Sequence, residues 1–158
     1  MTSPEELIKK LQLDAHPEGG WYRETYRSKQ CFTGDGIFPE GRSHCTSIYF
    51  LISASSFSAL HRIKSDETWH FYDGDPLEIV EIDKHGRLIQ TVLGNGVYQY
   101  TVPAGNWFGS RVYANGHWSL TGCTVSPGFD FKDFEMADRN TLLNSFPNHS
   151  TVIQQFTR

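Results

Sequence analysis

Hydrophobic and polar positions in this chain alternate in short runs, and turn residues cut the runs apart. From Trp21 to Ser28 the alternation places Trp21, Arg23, Thr25 and Arg27 on one face of a strand and Tyr22, Glu24 and Tyr26 on the other. The same reasoning predicts strands over Thr46–Ile52, Ser58–Ile63, Thr68–Tyr72, Leu77–Ile82, Leu88–Leu93, Val97–Val102, Gly109–Tyr113 and Ser119–Val125. Turn signals such as Asp73-Gly74-Asp75-Pro76, His85-Gly86, Gly94-Asn95-Gly96 and Pro103-Ala104-Gly105 separate most of them. Short strands at such spacing predict an all-β sandwich or barrel. Helical signals are confined to the two ends. Ser3-Pro4-Glu5-Glu6 forms a capping box that starts a helix ending near Leu13, ahead of His16-Pro17. Helices are also predicted over Ala137–Ser145 and Asn148–Thr157, on either side of Pro147. No repeat or linker interrupts the pattern, which predicts one domain over residues 1–158.

Composition narrows the function classes. A net charge of −4 with no Lys or Arg run argues against a nucleic-acid partner, which needs a basic face to neutralise phosphates. Cys31, Cys45 and Cys123 form neither a disulfide framework nor a Cys-x-x-Cys zinc pattern, and they read as the reduced thiols of a cytoplasmic protein. Acidic residues stand near the N-terminus where a signal peptide would be basic, and no apolar run approaches the ~20 residues of a membrane span. The expected partner is therefore a small molecule, with no nucleic acid and no membrane.

Candidate chemistry concentrates between His61 and Phe108. On one strand His61 points with Ala59 and Ile63; after a turn at Ser65-Asp66, Glu67, Trp69 and Phe71 share a face. A hairpin of this kind brings His61 and Glu67 across from each other inside a barrel. Arg23 and Arg27 have the spacing of two guanidinium forks about 13 Å apart along a strand, suited to an anionic group or to pairing with Glu24. Trp21, Trp69, Trp107 and Trp118 are candidates for a stacking platform for a sugar or base.

His61, Glu67 and Gly74, followed by Gly96 and Pro103-Ala104-Gly105, resemble the two half-motifs of the cupin superfamily. The blocks HPEGGWYRETYRS, SALHRIKSDETWHFYDGDPLEI, VPAGNWFGS and CTVSPGFDFKDFEMA resemble one small family within it, often called cupin-5. The resemblance implies a double-stranded β-helix, the cupin jelly-roll barrel, with a short helix at each end, and a homodimer; it implies no particular reaction. Of the four cupin metal-ligand positions, His61 and Glu67 carry ligand types, whereas Ile63 and Phe108 are apolar. No metal cofactor is therefore expected; a divalent ion, if held, would use His61, Glu67 and a displaced His70, with His44 more distant. A second resemblance is to the metal-free sugar-nucleotide epimerases of the superfamily, in Gly20-Trp21-Tyr22-Arg23-Glu24, Leu60-His61 and the Pro-x-Gly turn. It implies proton transfer by His61; the chemistry also needs an orienting carboxylate, for which Glu67 is the candidate, and an acid, for which Tyr22, Tyr72 and Tyr98 are the candidates.

The expected site is thus catalytic His61, Glu67 and Tyr72, with Trp21, Arg23, Glu24, Arg27, Trp69, His70 and Phe108 around a polar or anionic, sugar-like metabolite. The alternatives are a metal-dependent oxygenase or lyase and a non-catalytic sensor.

Overall fold

The structure, a computed structural model, describes residues 2–158. Its elements run α1 (Pro4–Leu11), β1 (Asp14–Ala15), β2 (Trp21–Arg27), β3 (Thr46–Ser53), β4 (Ser58–Arg62), β5 (Asp66–Gly74) and β6 (Leu77–Ile82). They continue with β7 (Leu88–Leu93), β8 (Gln99–Val102), β9 (Trp107–Val112), β10 (Trp118–Ser126), β11 (Glu135–Met136), α2 (Arg139–Ser145) and α3 (Ser150–Gln155). Two antiparallel sheets result, one ordered β1-β2-β3-β10-β5-β8 and the other β11-β4-β9-β6-β7. Consecutive strands β4 and β5 lie in different sheets, so the chain crosses the barrel at Ile63–Ser65. This interleaving is the double-stranded β-helix, with short helices at both ends.

Local chemistry sets the element boundaries. Ser3 Oγ accepts from the Glu6 N–H at 3.2 Å, and Glu6 Oε2 accepts from the Ser3 N–H at 3.0 Å. α2 starts at Arg139, later than the apolar pattern predicts, because Asp138 caps it by accepting from the Thr141 N–H at 2.8 Å. α3 is shorter than the predicted segment because Pro147–His149 is drawn into a 3-10 turn.

Apolar layers lie on both sides of the sheets. Phe50, Ile52, Trp69, Leu77, Ile79 and Phe108 fill the barrel. Behind the five-stranded sheet, Leu142 of α2 and Ile153 of α3 join Phe156 against Leu60, Val80 and Ile82. β6 is consequently buried at every position rather than alternately. Leu7 and Leu13 cover Leu51 and Leu120 on the outer side of the six-stranded sheet. Each fully buried Leu or Ile contributes about 1.5–3 kcal/mol.

One irregularity decides the faces of β2. Its pairing with β3 runs Arg23↔Tyr49 and Glu24↔Ile48, then slips before Tyr26↔Ser47 and Arg27↔Thr46. The bulge at Thr25 turns Arg27 to the inner face shared by Tyr22 and Glu24, while Arg23 stays outside over the Tyr49 ring. The sequence reading that put both arginines on one face is corrected by this slip. Among the described residues, no helix is long and apolar enough to cross a membrane.

Candidate functional site

A cavity of about 500 Å³ enters the barrel from the end where β2, β3 and the segment after β10 meet. That size suits a small organic ligand. Its inner part is lined by His61, Glu67, Glu18, Trp69, Cys123 and Ile63.

Glu18 reaches this position through the backbone around it. Gly19 and Gly20 follow it with φ of 110° and 79°, a left-handed conformation open to glycine. A Cβ on Gly19 would fall 2.0 Å from the Phe57 carbonyl oxygen, so the turn lies directly on the chain entering β4. The Glu18 carbonyl accepts from the Ala59 N–H at 2.8 Å and from Arg158 Nη1 at 2.8 Å. With its backbone fixed on β4, Glu18 sets its carboxylate oxygen 2.9 Å from His61 Nε2.

His61 is engaged at both ring nitrogens. Its Nδ1 lies 2.7 Å from the Ala59 carbonyl oxygen. A carbonyl only accepts, so Nδ1 carries a hydrogen, and Nε2 faces Glu18. Burial, the largest influence, opposes charge on His61, but Glu18, the Ala59 carbonyl and Glu67 together outweigh it and the net shift is upward. Burial likewise works to raise the Glu18 carboxyl, yet the His61 charge and hydrogen bond prevail and the net shift is downward. Both shifts favour the imidazolium–carboxylate form of this buried pair. His16 completes the wall: its Nδ1 accepts from the Glu18 N–H at 3.2 Å, and burial lowers its pKa.

Glu67 behaves in the opposite way. Burial and the neighbouring Glu18 charge push its carboxyl up to about 7. Beside it the Cys123 thiol is held protonated, by burial first and then by the Glu67 and Glu18 carboxylates. One cavity thus contains an ionised carboxylate and a carboxyl that keeps its proton to neutral pH. Environments that separate two titratable groups in this way assign base and acid.

Aromatic and charged groups form the rim. Tyr22, Phe129 and Phe131 line it, and Phe129 and Phe131 meet edge to face at 4.9 Å. Arg42, itself buried, fixes this segment by donating to Asp130 at 2.6 Å and to Asp133 at 3.1 Å. Arg27 grips Glu24 with two bonds of 2.8 Å and donates to the Phe129 carbonyl at 2.9 Å.

Of the residues singled out in the sequence, His61, Glu67, Trp69, Glu24, Arg27 and Arg23 border the cavity. The side chain of Arg23, however, is turned to the outer face, where it meets Gln12 at 3.3 Å and the Tyr49 ring. Phe108 lies beneath the site, its ring 4.1 Å from that of His61. Three others are elsewhere. Trp21 packs in the outer cluster under α1. His70 bonds Thr124 Oγ1 and Gln99 on the outside of β5. Tyr72 lies on that same outer face, 53% exposed and stacked with His70, away from any proton acceptor of the cavity. Tyr98 is 63% exposed, so Tyr22 is the tyrosine at the cavity among the three considered. The expectation that Glu67 orients His61 is also corrected, since the carboxylate on the imidazole is Glu18. Glu18 and His16 stand in the sequence only within the block HPEGGWYRETYRS; the signal for them is an acidic residue directly before two glycines.

The donor set does not fit the metal centre that the half-motifs suggest. Ile63 and Phe108 offer no ligand atoms, His61 has both nitrogens engaged, and His70 lies on the far side of β5. Among the described residues, no group of three or more His, Cys, Asp or Glu side chains is arranged to hold a metal ion.

The family model described as "Cupin superfamily (DUF985)", Cupin_5, matches residues 5–137. Among solved structures, a hypothetical protein from Leishmania major is 39% identical with a TM-score of 0.91, over 98% of each chain. A protein from Shewanella oneidensis is 40% identical with a TM-score of 0.91, over 100% of this chain and 99% of that one. Oxalate decarboxylase from Bacillus subtilis superposes with a TM-score of 0.58 at 15% identity, over 90% of this chain and 36% of its own, a likeness of fold alone. No curated protein matches.

Proposed function

The chain belongs to the Cupin_5 family of the cupin superfamily, as a cupin-type small-molecule-binding protein, and from that premise we propose that its cavity moves a proton on a bound carbonyl compound, as isomerases and epimerases do. The observation that carries this reading is the pair of buried carboxyls, Glu18 and Glu67, displaced in opposite directions within one cavity. Glu18 takes a proton from the carbon next to the carbonyl. The C–H electron pair becomes the C=C bond of an enol, and the carbonyl oxygen receives the proton of Glu67. The reverse step returns a proton to carbon and restores both carboxyls. His61 acts through Glu18, as a positioning residue that keeps the carboxylate ionised. This moves the base from His61, whose nitrogens are both engaged, to its partner.

The test is deuterium exchange at the α-carbon of carbonyl compounds selected by thermal-shift binding, followed by NMR in D2O. Glu18→Gln and Glu67→Gln should each slow exchange by roughly 10²–10⁴. Exchange should also decline above about pH 7, as Glu67 loses the proton it donates. Full exchange by Glu18→Gln would remove the reading. A homodimer belongs to the same proposal, supported by the exposed Tyr72 ring on the outer face of β5, which meets Tyr49 edge to face. A solution mass of one chain would withdraw it.

A further inference from the structure

We propose that His16 is a further catalytic residue of this cavity: a neutral imidazole whose Nε2–H binds the oxygen of the carbonyl compound while Glu18 takes the proton from the neighbouring carbon. The proposal rests on the proton-transfer reading above and adds to it a group that holds the oxygen.

His16 and Glu18 belong to one turn. The His16 carbonyl accepts from the Gly19 N–H at 3.0 Å, and the His16 N–H donates to the Gly20 carbonyl at 2.9 Å. Both ends of the residue are tied to the glycine pair that also sets Glu18. Aromatic rings clasp the imidazole, with Tyr22 edge-on at 4.5 Å and Phe50 and Phe134 each at 6.2 Å. The His16 side chain is 6% exposed.

The tautomer follows from one contact. Nδ1 accepts from the Glu18 N–H at 3.2 Å, and a ring nitrogen that accepts carries no hydrogen of its own. The hydrogen of the neutral ring is then on Nε2. Burial favours that neutral ring. His61 is arranged differently, with both of its nitrogens committed.

Nε2 of His16 meets no acceptor among the described residues, and it is not sealed. The Trp69 indole N–H and the Ser58 hydroxyl are unpartnered and closed off; Nε2 of His16 is not closed off, and its ring lines the cavity. A buried side chain with a free donor calls for a partner. Nδ1 stands 3.7 Å from the Glu18 carboxylate, so the ring and the base are neighbours. One small carbonyl compound can span them, its oxygen on His16 and its α-carbon over Glu18.

Charge develops on that oxygen as the C–H bond breaks, and a donor fixed in advance needs no reorganisation at that moment. A neutral imidazole can polarise a carbonyl in this way. Glu67 still supplies the proton that the enol oxygen receives. His16 lends a hydrogen bond and keeps its own proton.

The probe is hydroxyacetone, a small uncharged ketone, added to the full chain at pH 7. In imidazole ¹⁵N NMR, His16 should carry its proton on Nε2 alone. Hydroxyacetone up to about 100 mM, a hundredfold over a millimolar Kd, should move that Nε2 signal. A proton on Nδ1, or a signal that the ketone leaves unmoved, would overturn the proposal. Two variants then separate donor from packing in α-carbon exchange. His16→Phe keeps a ring among the aromatic neighbours but has no N–H, and kcat should fall by about 10²–10³. His16→Gln loses the ring but keeps an N–H donor, and should exchange at least about tenfold faster than His16→Phe. Equal or faster exchange by His16→Phe would leave His16 as a packing residue only. The wild-type spectra decide the matter if neither variant folds. The two readings also part cleanly. A shift at His16 without α-exchange keeps the oxygen site and removes the proton transfer. Exchange with His16 unmoved keeps the proton transfer and removes His16.

Discussion

Glu81 on β6 and Glu67 on β5 are both buried, at 0% and 8% exposed. Glu81 is saturated. It bridges the two sheets, accepting from the Tyr100 hydroxyl on one oxygen and from Asn106 Nδ2 at 3.1 Å on the other. Burial and that bond push the Tyr100 phenol up to about 12, so it stays a donor at all ordinary pH values. Glu67 has a thiol beside it, a repelling carboxylate near it and open cavity in front. A buried carboxyl therefore does not by itself mark chemistry. What distinguishes the two is the partner one of them lacks, and that shortage is what a ligand can relieve.

The largest expected effect falls on the pair that separates the cavity from the rest of the barrel. Glu18→Gln leaves a buried imidazolium without its counter-charge, which should cost about 3–5 kcal/mol in urea unfolding. Burial is then opposed only by the Ala59 carbonyl and Glu67, so the NMR titration of His61 should move downward. The pH dependence follows from both shifts. Glu18 is lowered, so its contribution is present above its unfolded value of 4.5 and is lost as pH falls through the folded pKa. His61 is raised, so its contribution is full below 6.5 and is lost as pH rises through the folded pKa. The penalty should be greatest between these two values; a penalty flat in pH would mean that the two groups are not a charged pair.

The second effect sets the two glutamates directly against each other. Glu81→Gln turns an amide N–H toward one of the two donors that Glu81 accepts from and should cost about 1–3 kcal/mol. Glu67→Gln should do the opposite at pH 8. The folded state holds the Glu67 proton to about 7 while the unfolded chain releases it near 4.5. Wild-type stability therefore falls as pH rises across that window, by up to about 3 kcal/mol, and the glutamine variant escapes the decline. The two unfolding curves should coincide below pH 4.5 and separate above it. Equal signs for Glu81→Gln and Glu67→Gln at pH 8 would end the distinction drawn between them.

A smaller effect is expected where the same strand faces outward. His70 bonds Thr124 and Gln99 on the outer face of β5. His70→Ala should change stability by about 0.5–1 kcal/mol and leave α-carbon exchange unaltered. Lost exchange in this variant would bring the outer face into the site.

These contrasts explain what the sequence could and could not disclose. His61 and Glu67 are joined by one turn, so a period of two along β4 and β5 suffices to direct both into the barrel. The same period places His70 and Tyr72 outside, and choosing Tyr72 as the acid set that rule aside for the sake of its phenol. Glu18 was hidden because its meeting with His61 depends on a glycine turn laid against β4 from far upstream, a contact that no local pattern encodes. Arg27 was misplaced because alternation cannot announce the bulge at Thr25 that reverses it. The fold was legible throughout because turn spacing, strand pattern and the end caps all agree.

The smallest expected effect concerns metal. Binding of an ion by the folded state adds RT ln(1 + [L]/Kd) to stability, so stripping a resident metal lowers the thermal midpoint. Here the two apolar side chains Ile63 and Phe108 occupy half of the cupin ligand positions, and the imidazole of His61 is committed to Ala59 and Glu18. Protein expressed with supplemented zinc, iron or manganese and then treated with EDTA should unfold within about 1 °C of the untreated sample. A fall of several degrees, with one equivalent of metal recovered, would show that Glu18 and His61 open to admit an ion. The carboxylate assigned here as a base would then be a ligand, and the contrast with Glu81 would rest on metal affinity instead of proton affinity.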